Sequence, residues 1–416
     1  MDTENNNSVV TELIEAFNYS LTKVSGRGAV LSGLKIQNWC KPCHVIAIGK
    51  ASESMMQGAC EVLGDNVLSA LLITKTAYLS ETVKMNRKII CMEAGHPVPN
   101  QSSLIAAEIL INKLQSIPAG SSILFLISGG SSSLVEKLNP RLDLEWLQKL
   151  NSWLLSSGLD IHQMNRIRKC VSQIKGGGLL AYLPAGCDVL NLLISDVPSD
   201  NITDIGSGLL TSNTVGPEFK KPESESQLPQ WISDELHEPK TILYPGLAQV
   251  IAASNCHARE AAAEFLSNKN QKTWFSPETF NCAQDKICDH IMEQIETQGK
   301  GTYIWGGETT VESDKSLPAG GRNQQLALKL ALLIQHKPNI TVLSIGTDGS
   351  DGTTPYAGAW VDSNSVSKMY QQGIDAAQAL AEFQATPALE SISATVTTGV
   401  TGTNVMDLVL IKKNDG

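Results

Sequence analysis

Asp348 and Asp351 alternate with three glycines in GTDGSDG at 346–352, directly after the apolar run 340–345. An apolar strand that ends in such a loop presents carboxylates and bare backbone N–H groups at its carboxyl edge, where open α/β sheets bind ligands. That pairing suits a metal-bound polyphosphate. AIGKAS at 47–52 has a related form, a strand followed by Gly-Lys and a helix start. A Walker A loop would need glycine five residues before Gly49, where His44 stands, so this is no P-loop. Lys50 can still reach a phosphate as a point charge. LISGGSSSL at 126–134 follows another strand. There Gly129 and Gly130 permit close backbone approach, and Ser131 to Ser133 supply N–H and O–H donors at a helix start, which favours anions. It reads as a phosphate cradle. The nucleophile elbow G-x-S-x-G is absent, because Ser133 occupies the place of the second glycine.

Three further segments add charge. In NRIRKCVSQIKGGG at 165–178, helical spacing puts Arg168, Ser172 and Lys175 on one face, an anion-facing stripe or simply a solvated one. In ISDVPSD at 194–200, Asp196 at a strand edge is a candidate magnesium ligand or base, whereas Asp200 suits a turn cap. A strand ending in Gly306, Gly307 and Glu308 precedes a glycine loop that delivers Arg322 to the next helix start. Arginine there fits bidentate recognition of a carboxylate or phosphate. His96, in EAGHPVP, follows a strand and could touch a ligand, but no Ser-His-Asp arrangement or HExxH helix emerges.

The elements that must hold these loops alternate. Apolar runs at 45–48, 70–74, 88–92, 123–127 and 189–194 read as strands, with amphipathic helices such as 103–114 and 144–155 between them. The stretch 216–239, rich in Pro, Glu, Ser and Lys, reads as a linker. A second set follows: strands at 249–253, 302–305, 340–345 and 407–411, and helices at 257–266, 282–297 and 323–334. The expectation is two α/β domains, 1–235 and 236–416, the first a doubly wound, mostly parallel sheet.

A chain of 416 residues with 42% hydrophobic and 18% charged residues has enough interior for two such cores. Its net charge of −10 argues against nucleic acid as the main partner, while leaving room for a small anion held locally. The amino terminus lacks the pattern of a signal peptide and no apolar run reaches membrane-spanning length, so a cytoplasmic protein with reduced thiols and no membrane partner is expected. Cys40-Lys-Pro-Cys43 with His44 has no second pair at metal-ligand spacing and reads as a strand-edge coincidence.

Taken in order, AIGKAS, EAGHPVPNQSS at 93–103, LISGGSSSL, NRIRKCVSQIKGGGL, ISDVPSDNITDIGSG at 194–208, GGETTV at 306–311, GGRNQQLAL at 320–328, GTDGSDGTTPYAGAWVD at 346–362 and TGVTGTNVMDL at 398–408 resemble the class II glycerate kinases, whose carboxyl-terminal part is the MOFRL domain. The resemblance runs from about residue 43 to the end, with Val400 and Met406 as mild departures. It implies two dissimilar α/β domains, the second with a mixed sheet, and an active site in the cleft between them. It also implies ATP- and Mg²⁺-dependent phosphorylation of D-glycerate to 2-phosphoglycerate. On this chain Lys50 and Arg322 would be the cations and Ser128–Gly129–Gly130–Ser131–Ser132 the nucleotide phosphate loop, with Lys175, Gly307 and Glu308 beside the nucleotide. Asp196 and Asp348 would serve the metal, and Asp351 or Asp196 the substrate hydroxyl proton. Two rivals stay in view: an NAD(P)H-dependent hydroxypyruvate reductase, a label given to members of the family, and a non-catalytic nucleotide or phosphosugar binder. Against the reductase, no G-x-G-x-x-G opens a helix after any strand. Against the binder stand the three acids.

Overall fold

A computed structural model describes residues 2–159, 161–211, 228–237, 242–310 and 320–414. They form two compact units: Gly26–Ala252, and Met1–Ser25 together with Ala253–Gly416.

The first unit holds β1 (Cys43–Ile48), β2 (Val67–Lys75), β3 (Ile89–Ala94), β4 (Ser122–Ile127), β5 (Asp188–Ile194) and β6 (Leu247–Ala253) in the order β3-β2-β1-β4-β5-β6. The ladders joining β1 to β5 are parallel. β1 and β4 are buried almost throughout, as central strands covered on both faces must be. The helix Gln101–Gln115 shows how one covering layer forms. Asn100 and Ser103 close a capping box at its start, and Ala106, Ala107, Leu110, Ile111 and Leu114 recur at helical spacing on its buried face. Each buried Leu or Ile there contributes about 2 kcal/mol. The chain leaves β1 toward β3 and returns on the other side with β4, so strand order reverses between β1 and β4. The loops after those two strands therefore border the crevice where such sheets take ligands.

The run 249–253, expected to open the second set, instead closes the first sheet as β6 beside β5. Asn191 Nδ2 donates to Gln249 Oε1 at 2.9 Å across that edge. Strand periodicity encodes a buried face and not a partner, so the pairing was open.

The second unit holds β7 (Thr273–Phe275), β8 (Phe280–Ala283), β9 (Gly301–Thr310), β10 (Ile340–Gly346), β11 (Gly358–Asp362), β12 (Thr395–Val396) and β13 (Asp407–Lys413). Its sheet, β12-β11-β10-β13-β9-β7 with β8 on β9, is mixed. β13 is antiparallel to both β9 and β10, which puts its first residue at their carboxyl ends: Asp407 pairs with Gly307 on one side and Gly346 on the other. The amino-terminal helix Asp2–Val24 buries Leu13, Ala16, Phe17 and Val24 in this unit, with Tyr19 against Phe265 of the helix Asn255–Asn268.

Most of the expected linker 216–239 lies outside the described residues; within it, Trp231 of the short helix Gln230–Ser233 meets Trp146 edge-on at 5.6 Å. Among the described residues no helix is long and apolar enough to cross a membrane.

Candidate active-site clusters

In the first unit the ends of β1, β3, β4 and β5 converge. Lys50 N donates to Gly129 O at 2.9 Å, and Ala51 N to Ser128 Oγ at 3.1 Å, stitching the loop after β1 to the loop after β4. Gly49, at φ +133°, lies so close that a Cβ would stand 2.1 Å from Ser128 Oγ. Gly129 is pressed by Asp196: a Cβ there would meet Oδ2 at 2.1 Å. Gly130, at φ +84°, carries His96 and the Lys50 stem on one side, 2.8 Å and 3.3 Å from where its Cβ would be. Three glycines are thus required by three close approaches, since any larger residue would displace a neighbour.

Within LISGGSSSL the serine hydroxyls turn mostly toward protein. Ser128 binds Ala51 N, Ser132 Oγ lies 2.8 Å from Ser207 Oγ, and Ser133 Oγ donates to Gly130 O at 3.0 Å. Ser131 Oγ is buried against Gly206 without a hydrogen-bond partner among the described residues. By contrast, the N–H groups of Gly129 and Gly130 make no hydrogen bond among the described residues. The backbone, more than the hydroxyls, is therefore what this loop offers an anion.

His96 is the residue here that motif logic undervalues. Burial, with Lys50 and Lys75 nearby, pushes its pKa down to about 4, so its ring is neutral at pH 7. Its position after a strand was the available signal.

Lys175, expected beside the nucleotide, is engaged by a neighbouring acid. Its ammonium is buried in an ion pair with Glu136, whose other oxygen accepts from Ser172 Oγ at 2.5 Å. A buried lysine must keep a counter-ion. The glycines after it donate instead to Ser207 O and Gly208 O, at 2.9 and 2.7 Å.

The second unit gathers Glu308 after Gly307, Arg322 at the start of the helix Arg322–Ile334, and Asp407 at the start of β13. Arg322 Nε donates to Asp407 Oδ2 at 2.5 Å, while Nη2 donates to Asp407 Oδ1 at 3.2 Å and to Glu308 Oε1 at 2.8 Å. Asp407 is nearly buried; the Arg322 and Glu308 side chains are 36% and 35% exposed. Burial pushes the Asp407 carboxyl up to about 7 against the pull of Arg322. Burial also opposes the charge on Arg322, but Asp407 and Glu308 outweigh it and raise its pKa further. Gly307, at φ +150°, lies against Phe280 O, which a Cβ would meet at 1.9 Å. Asp407 carried no sequence signal beyond being an acid at the head of a buried apolar strand.

Asp351, expected as a base, is held at the start of a helix. Its Oδ1 accepts from Asn323 N and Nδ2 at 3.0 and 3.4 Å, and its Oδ2 from Gln324 N and Nε2 at 2.9 and 3.0 Å. It is 2% exposed, caps the helix that begins with Arg322, and has both oxygens occupied. Burial raises its pKa and those four bonds oppose the rise. Gly321, the N-cap, must be glycine to admit it, since a Cβ would stand 2.0 Å from Asp351 Cγ. Asp348, partly exposed, closes a local turn by accepting from Ser350 N and Oγ at 3.0 and 3.1 Å. Asp196 and Lys50 belong to the first unit, Asp348 and Arg322 to the second.

Among the described residues no cluster of three or more His, Cys, Asp or Glu side chains could cage a metal.

Two family models match this chain: a domain of unknown function (DUF4147) over residues 12–219 and the MOFRL family over 301–407. A glycerate 2-kinase of Pyrococcus horikoshii is 31% identical, with 93% of this chain and 91% of that protein aligned. A D-glycerate 2-kinase of Thermotoga maritima is 32% identical over 88% of this chain and 89% of its own length. The crystal structure of Thermotoga maritima glycerate kinase superposes with a TM-score of 0.88 at 27% identity, covering 98% of this chain and all of that one.

Proposed function

The chain belongs to the family that joins a DUF4147 region to a MOFRL region, and from that premise we propose that it transfers the terminal phosphoryl group of ATP to the 2-hydroxyl of D-glycerate. The observation that carries the chemistry is the meeting of the β1 and β4 loops at the reversal of strand order. There bare glycine N–H groups, Lys50 and Asp196 come together. Phosphoryl transfer asks a protein mainly to position reactants and offset charge, and this loop supplies both.

In this reading the Gly129 and Gly130 N–H groups and Lys50 hold nucleotide phosphate oxygens. Asp196 lies against Gly129, and a carboxylate beside a polyphosphate is tolerable only with a cation shared between them, so Asp196 is the first residue we assign to Mg²⁺. Asp348, in the second unit, keeps the metal role that the family resemblance implies. Mg²⁺ bound with ATP would supply charge neutralisation on the phosphates. With Asp351 committed to its helix, Asp196 is also the acid left to take the hydroxyl proton; a loose transition state asks little of a base. Arg322 orients the glycerate carboxylate. The neutral ring of His96 lies beside Gly130 near the Lys50 stem and adds no charge there.

The strand order β3-β2-β1-β4-β5-β6 is also that of dinucleotide folds, but the β1 loop here reads Gly49-Lys50-Ala51-Ser52 and lacks the glycine fingerprint a reductase would use. The test is purified protein with D-glycerate, ATP and Mg²⁺, followed by separation of 2- from 3-phosphoglycerate. ADP and 2-phosphoglycerate are expected. No ADP, with NADH oxidised by hydroxypyruvate, would transfer the protein to the reductases.

A further inference from the structure

Arg322 contacts two carboxylates that are unlike each other. Asp407 takes the Nε and Nη2 edge of the guanidinium and is almost buried, so that contact is built in. Glu308 touches only Nη2, and its side chain is about as exposed as that of Arg322. The second edge of the fork, Nη1 with Nη2, is therefore half engaged: Nη1 has no partner among the described residues. That edge has the geometry for a bidentate oxyanion.

We propose that Glu308 is a displaceable place-holder on Arg322: an oxyanion of the substrate takes over the Nη1–Nη2 edge, and Glu308 swings out to water. The inference rests on the kinase reading and adds a determinant of specificity to it. A carboxylate repays the displacement of Glu308 by making two charge-assisted bonds, whereas an uncharged alcohol cannot. The displacing oxyanion is either the carboxylate of glycerate or a phosphate of the nucleotide, and the two sources give different kinetic signatures.

Glu308→Gln keeps an oxygen at the same reach but removes the competing charge. KM for D-glycerate should fall about five-fold, the scale of an exposed ion pair, with kcat within about two-fold and KM for ATP unchanged. A fall in KM for ATP instead would identify phosphate as the displacing group and support the same device. Both KM values unchanged or raised, or a kcat lowered a hundred-fold at constant KM as loss of a base would give, overturns the proposal. In an Arg322→Lys background the Glu308→Gln effect should vanish, because the bidentate edge is gone. Thermal melts of each variant separate a folding defect from a binding change. Calorimetric titration with sodium D-glycerate makes the comparison without turnover. Tighter binding to Glu308→Gln in a protein that fails to phosphorylate glycerate would leave the place-holder standing and remove the kinase reading.

Discussion

The loop cluster of the first unit is built from backbone, and the arginine cluster of the second from side chains. Around Gly49, Gly129 and Gly130 the essential property is the absence of a Cβ, because Ser128, Asp196 and His96 occupy that space. Around Arg322 the essential property is charge balance, with one guanidinium held by a buried and an exposed carboxylate. The first kind of site should fail on adding one methyl group and be indifferent to pH. The second should tolerate volume changes and respond to charge and pH.

The sharpest test of that contrast is Gly129→Ala. Its Cβ would sit on the Asp196 carboxylate, so kcat/KM for phosphorylation should fall about a hundred-fold, the effect of misplacing a reacting group by about 1 Å. Near-normal turnover in a folded variant would mean the loop relaxes easily and the site is not backbone-built.

Lys175→Met comes next and separates a phosphate ligand from a structural ion. It strands Glu136 in the interior and should cost about 4 kcal/mol of unfolding free energy, measured by denaturant titration. A stable variant with a raised KM for ATP would restore Lys175 to the nucleotide.

Arg322→Gln probes the charge-built side. With the guanidinium gone, the Asp407 pKa loses its main lowering influence while burial and Glu308 still raise it, and the carboxyl takes up its proton at still higher pH. A carboxyl pKa raised in the fold contributes stability that is present at low pH and lost as pH rises through the folded value. The unfolding free-energy deficit of the variant should therefore grow by about 1 kcal/mol between pH 7 and pH 8. A deficit independent of pH would show that Asp407 is not the charge left behind.

Asp351→Ala should cost about 2 kcal/mol through loss of the cap, with Asp351→Asn in between. Turnover surviving in the folded Asn variant would agree with a cap; its loss by orders of magnitude would return Asp351 to the chemistry. The smallest effect belongs to Arg27→Ala, whose pair with Glu61 is about half exposed on both sides, so its change should stay within about 0.5 kcal/mol.

The glycine loops are legible in the sequence because a glycine in a strand-to-helix turn is itself a conformational statement. Gly129 and Gly130 after an apolar run announce close approach whatever the rest of the fold does. The partner of each close approach was harder to read. That Gly129 meets Asp196 depends on β4 and β5 being adjacent, and that Lys175 meets Glu136 depends on how the intervening helices fold back. Asp351 illustrates the ambiguity best. Its setting among glycines looked catalytic, and the same setting serves an acid that must slide between Gly321 and the first turn of a helix.

The α/β class, the alternation of strands and helices, and the loops able to hold an anion are written into local stretches of the chain. These follow from local periodicity and from the conformations that Gly, Pro and charged residues allow. Long-range pairing, by contrast, sets β6 in the first sheet, the amino-terminal helix in the second unit, and Asp407 and Glu308 together on Arg322. Each of those is a pairing between segments distant along the chain, chosen by complementary burial and charge that no local window contains.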